Sequence, residues 1–138
     1  MTDRPTGPAL ADAVAARMPG WKRHGPAVGG GTMWAMPNGK GRVTGCRSDQ
    51  HDPLYFWPDC DIADATEAIF SLNDEWSIDY KRGPHPSIMV WIFVEDDYIC
   101  GACALSKTNG DKSRAFCLAI CRAVEQLPEA AKEKTDAD

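Results

Sequence analysis

The run Ser87-Ile88-Met89-Val90-Trp91-Ile92-Phe93-Val94 leaves this chain few ways to fold, because every side chain after the serine is apolar. β-Branched and aromatic residues dominate it, so it reads as a strand. Alternation then puts Ile88, Val90, Ile92 and Val94 on one face and Met89, Trp91 and Phe93 on the other. Two apolar faces both call for cover, which points to a sheet with helices on each side. Trp76 to Lys81 and Tyr98 to Ser106 read as the neighbouring strands. The polar Glu95-Asp96-Asp97 joins the last two strands as an antiparallel hairpin.

Three segments can supply the helical cover. Thr6 to Met18 carries Leu10, Val14 and Met18 at steps of four, with Thr6 as a cap and Pro8 where first-turn amides lack acceptors; Pro19-Gly20 stops it. Ile62 to Leu72 is capped by Asp61, has Asp64 at its positive end, and turns Ile62, Ala65, Ile69 and Leu72 inward. Lys112 to Leu127 presents Phe116, Ala119, Ile120, Ala123 and Leu127 to the sheet. Between the first two helices, Gly29-Gly30-Gly31 and Pro37-Asn38-Gly39 break the chain into turns, and a hairpin with Trp34 facing inward fits. Leu54-Tyr55-Phe56-Trp57 then reads as an aromatic strand end that breaks at Pro58. The expected fold class is α+β, an antiparallel β-sheet sandwiched between helical layers. Its 138 residues suit one domain over 9–127, with a flexible N-terminus over 1–8 and a charged, disordered tail over 128–138.

A formal charge of -5 and a pI near 5.1 argue against a duplex-binding surface, since neutralising phosphates needs a dense basic face. No apolar run approaches the roughly 20 residues that span a bilayer, and the first residues lack a signal-peptide core. A soluble cytoplasmic protein is expected, with no membrane partner. In that reducing setting the six cysteines are expected as free thiols.

Cys100-Gly101-Ala102-Cys103 has the spacing of a metal knuckle, and Cys117 and Cys121 lie one helical turn apart, so four thiolates could enclose zinc. Strand alternation opposes this by sending Cys100 and Cys103 to opposite faces unless Gly101 permits a local turn. Small buried core residues are the preferred reading, and no metal or other cofactor is expected. A thioredoxin-type pair fits less well, because Cys103 leads into Ala104-Leu105 and not into a helix. His24, His51 and His85 accompany no nucleophile motif, and Gly29-Gly30-Gly31 lacks the lysine and hydroxyl of a phosphate loop. No catalytic residue emerges. Arg114, Leu118 and Arg122 follow each other at steps of four on the outer side of the third helix. They suit a solvated face with snorkelling arginines, or a surface for a phosphate or carboxylate ligand. Arg47 and Arg82 on loops could add charge, and Trp57 at an element end could offer an open ring face.

Gly20-Trp21 after the first helix, Trp34 before Pro37-Asn38-Gly39, the helix start from Trp57 to Ala65, and Ala119-Ile120-Cys121-Arg122-Ala123 together resemble the phage ABA-sandwich domain family. The match covers roughly residues 9–127, and departs from the family at Gly29 to Gly31 and Val43 to Pro53. The resemblance implies a phage-encoded, non-enzymatic binding protein acting in the host bacterial cytoplasm against host defence. Some similar phage proteins are oligomers that sequester a nucleotide-derived immune signal, which implies a homo-oligomer here, with Arg114, Arg122, Arg47, Arg82 and Trp57 as ligand-binding residues. One alternative is a direct inhibitor of a host defence protein, in the manner of an anti-CRISPR, its acidic surface mimicking nucleic acid. Another is a structural phage protein, zinc-stabilised through Cys100, Cys103, Cys117 and Cys121.

Overall fold

A computed structural model describes residues 7–26, 31–44, 55–59, 61–72 and 74–127. In chain order these form helix α1 (Gly7–Ala15), strands β1 (Lys22–Pro26), β2 (Thr32–Ala35) and β3 (Gly41–Thr44), and helix α2 (Ile62–Phe70). Strands β4 (Glu75–Lys81), β5 (Ser87–Val94) and β6 (Asp97–Ala104), a 3-10 turn at Leu105–Thr108, and helix α3 (Lys112–Val124) follow. The result is an α+β fold with three helices and two three-stranded antiparallel sheets, compatible with a sheet between helical layers.

Strand β5 forms over the residues its pattern marks, and pairs along its whole length with β4 on one side and β6 on the other. Ile88, Val90 and Ile92 face a buried core, and α3 packs over β5 and β6 on that side. The closest approach is at Gly101, where α3 crosses β6. A Cβ there would lie 2.3 Å from the backbone nitrogen of Ala123 and 2.4 Å from the carbonyl oxygen of Ala119. Gly101 therefore serves close backbone packing and makes no turn. Ala115, Ala119 and Ala123 keep the helix surface low along the same line, and all three are fully buried. Helix α2 docks on α3, and α1 reaches both α3 and β3.

Asp61 caps α2 as expected, accepting from the amides of Ala63 at 2.9 Å and Asp64 at 3.4 Å. Asp111 does the same for α3 through Arg114 N at 3.1 Å. Asn109 in the left-handed region and Gly110, at φ of 53° and 84°, turn the chain into that cap.

Several expectations change. Trp34 is buried, but the sheet around it has three strands and not two, because Lys22–Pro26 adds an exposed edge strand through backbone pairing. Tyr55 makes an isolated parallel bridge to Val43, so the described residues 55–57 before Pro58 form no strand. Strand β6 ends at Ala104, where the chain tightens into the 3-10 turn, instead of running on to Ser106. Ile62, read as inward, is 49% exposed at the first position of α2. The second face of β5 is only partly covered: Met89 and Trp91 are half-buried, while Phe93 is 47% and Tyr98 58% exposed. The proposed Thr6 cap, the glycines at 29 and 30, and residues 45–54 lie outside the described residues.

Candidate functional site

Along β6, the Leu105 amide still donates to Pro86 O at 3.0 Å, which continues the ladder with β5. Alternation then turns the backbone of Ala104, Ala102 and Cys100 to the free edge of the sheet. The Cys100 carbonyl confirms the phase, since it accepts from Gln126 Nε2 at 2.9 Å. Beside this edge α3 leaves a cleft of about 340 Å³, lined by Ala102, Cys103, Ala104, Lys107, Leu118 and Arg122. Its floor is apolar and its mouth carries cations.

Arg122 is held at that mouth by Glu125, with Nη1 3.4 Å from Oε2. Leu118 is half-buried and Arg114 exposed one turn earlier. Lys107 reaches the cleft from the 3-10 turn. Burial pushes the Cys103 thiol above its ordinary value, while the charges of Arg122, Lys107 and Arg114 pull it the other way. The outer face of α3 is thus a cationic cleft with backbone donors at one wall. Such a site can bind a phosphate or carboxylate and hold it against an apolar floor.

The other sequence-derived candidates fall elsewhere. Arg82 is exposed in the connection between β4 and β5 and does not line the cleft. Trp57 is half-buried, stacks on Tyr55 with ring centroids 5.8 Å apart, and donates its amide to Asp64 Oδ2 at 2.8 Å. Its role in this structure is to anchor the start of α2. Trp21 is 4% exposed and packs on Phe56. Arg47 and His51 lie outside the described residues, and His24 and His85 are exposed.

The cysteines separate as alternation requires. Cys103 stands opposite Ile88 on the face under α3, and Cys100 opposite Trp91 on the other face, so the pair cannot clasp one ion. Cys117 and Cys121 are fully buried in α3. Burial pushes the Cys121 thiol well up, with the nearby Asp59 and Cys117 adding to the rise. Among the described residues no three His, Cys, Asp or Glu side chains converge on a metal position.

Two polar clusters escaped the sequence reading. Arg42 on β3 bonds Asp64 Oδ1 at 2.9 Å, Glu67 Oε1 at 3.0 Å and Tyr55 O at 3.2 Å, while its guanidinium sits over the Phe56 ring. Burial raises the Asp64 carboxyl above its usual value, although the Trp57 amide and Arg42 both draw it down. Trp34 Nε1 donates to Thr44 Oγ1 at 2.8 Å and Asp12 Oδ1 at 3.1 Å, and Thr44 Oγ1 donates to the same carboxylate at 2.8 Å. Both clusters pin the first sheet to a helix. Comparison with protein-family models, with curated proteins and with solved structures returned no match for this chain.

Proposed function

We propose that this chain is a non-enzymatic binding protein that takes a small phosphate-bearing ligand in the cleft between β6 and the outer face of α3. The observation that carries the reading is the placement of Arg122 and Lys107 on the lining of a partly apolar cleft beside the free edge of β6. Its volume lies at the lower end of small-ligand sites, which run from about 300 to 1,000 Å³. In this reading Arg122, preset by Glu125, meets a phosphate through two parallel donors, Lys107 adds a point charge, and Leu118 packs on the ligand's apolar body. The backbone amide of Ala102 is placed to donate from the sheet edge. Sequestration of a nucleotide-derived immune signal by a phage protein in a bacterial host fits this chemistry, and rests on the resemblance to phage ABA-sandwich domains.

Thermal unfolding of the purified protein with cyclic nucleotides and ADP-ribose isomers tests the reading. A ligand present at 100 times its Kd stabilises the folded state by about 2.7 kcal/mol, a shift of several degrees. Removing one charge-assisted contact by Arg122→Ala or Lys107→Ala should weaken that ligand about 10- to 100-fold. A panel without any shift, or a shift that both variants retain, refutes the proposal.

A further inference from the structure

The opposite face of the second sheet carries a separate surface. The pairing register sets out its rows: Glu75, Phe93 and Tyr98 in one, Ser77, Trp91 and Cys100 in the next, then Asp79, Met89 and Ala102. Phe93 and Tyr98 are about half exposed, and the Tyr98 ring lies 5.4 Å from that of Trp91. Rigid aromatic side chains standing together on a strand pair have the character of binding anchors. Around them the charge is one-signed over most of the rim. Glu75 and Asp79 line the β4 side, and Glu95, Asp96 and Asp97 occupy the turn at one end, all exposed. Only the far end turns positive, at Lys81 and Arg82.

That rim decides between occupants. A single-stranded nucleic acid would stack on the aromatics, but its phosphates would meet the carboxylates. A second copy docked face to face about a two-fold axis across the strands would set the acidic turn on Lys81 and Arg82, but Glu75, Asp79, Glu95, Asp96 and Asp97 outnumber those two cations on each copy, so the faces still repel. We propose that this face docks a partner protein whose contact surface presents apolar side chains flanked by Lys or Arg. The contact goes beyond the cleft reading and does not depend on it, since Ala102 alone of the cleft-lining residues belongs also to these rows.

The test titrates the full chain into a fluorescein-labelled peptide with a Leu-Ile-Leu centre flanked by lysines, and into its glutamate-flanked counterpart, at low ionic strength. The lysine peptide should bind and the glutamate peptide should not. Phe93→Ser, and separately the exposed pair Glu75→Lys with Asp79→Lys, should each weaken the lysine peptide at least about tenfold. Circular dichroism of each variant establishes that it is folded. No binding of the lysine peptide, equal binding of both peptides, or binding that survives both variants overturns the proposal. So does sedimentation showing a dimer of the chain alone that Phe93→Ser dissociates. No nucleotide enters this titration, so its failure is distinct from failure of the cleft reading.

Discussion

Replacing Gly101 by alanine puts a methyl carbon where the backbone of α3 already stands. The new carbon would lie 2.3 Å from Ala123 N, 2.4 Å from Ala119 O and 2.8 Å from Ala123 Cα. Ordinary contact begins at 3.4 Å, so helix and strand must part by about 1 Å. No rotamer relieves the clash, because all three atoms belong to the backbone. Parting by that much also loosens Ala119, Ile120 and Ala123 from Val90, Ile92 and Cys103, which are fully or almost fully buried. Gaps of this size forfeit about a quarter to a half of each dispersion contact they open. Overpacking that side chains can absorb costs about 1–3 kcal/mol, and a clash between two backbones belongs at or above the top of that range. Gly101→Ala should therefore cost about 3 kcal/mol or more, read as a lower urea midpoint and a melting temperature lower by about 10 °C. Gly39→Ala is the control. Its φ of 87° is unfavourable for alanine but nothing lies within 4 Å of the added carbon, so about 1 kcal/mol is expected. Should Gly101→Ala cost no more than Gly39→Ala, the close crossing of α3 over β6 is wrong.

Arg42→Met should destabilise by about 3 kcal/mol in urea unfolding, because it leaves Asp64 and Glu67 without their shared cation. Adding Asp64→Asn and Glu67→Gln should recover part of that loss; a triple variant no better than Arg42→Met would contradict the ion-pair account. The Cys121 thiol is held protonated well above its ordinary value of 9.0, so past that pH the folded state binds more protons than the unfolded chain. Stability from this group is complete below the unfolded value and falls as pH rises through it. The urea midpoint of the natural chain should drop more steeply as pH rises above about 9 than that of Cys121→Ala. Parallel curves would show that Cys121 ionises alike in both states.

How far the sequence foretells this fold depends on whether side chains or backbone carry each element. Strand β5 and the cap at Asp61 were legible because period-two hydrophobicity and a carboxylate before an apolar run are local signals. Strand β1 was not, since Lys22-Arg23-His24-Gly25-Pro26 is polar, largely exposed, and joined to β2 with a register shift between Arg23 and Gly25. Backbone pairing of that kind leaves almost no pattern in side chains. Gly101 carried a signal, but an ambiguous one. A glycine inside a strand marks either a bend or a close approach, and the helix that selects between them lies about twenty residues later. Arg42 gave no local sign of its role, because its partners come from two other elements and are assembled only by the fold.

The outer face of α3 was visible from the four-residue spacing of Arg114, Leu118 and Arg122, whereas Lys107 joined it only once the strand stopped short and the 3-10 turn swung it round. The same alternation that parts Cys100 from Cys103 parts the two surfaces proposed for binding. On one side of β6, cations gather beside α3; on the other, aromatics lie within carboxylates. A net charge of -5 averages over both and describes neither. It argues against a broad phosphate-binding surface, but a cleft a few residues wide needs only its own local field, because charges beyond about 8–10 Å are largely screened in solution. Raising the salt should therefore weaken the lysine peptide on the exposed sheet face more than a nucleotide enclosed beside Arg122, and that ordering separates a rim held by long-range attraction from a cleft held by direct hydrogen bonds.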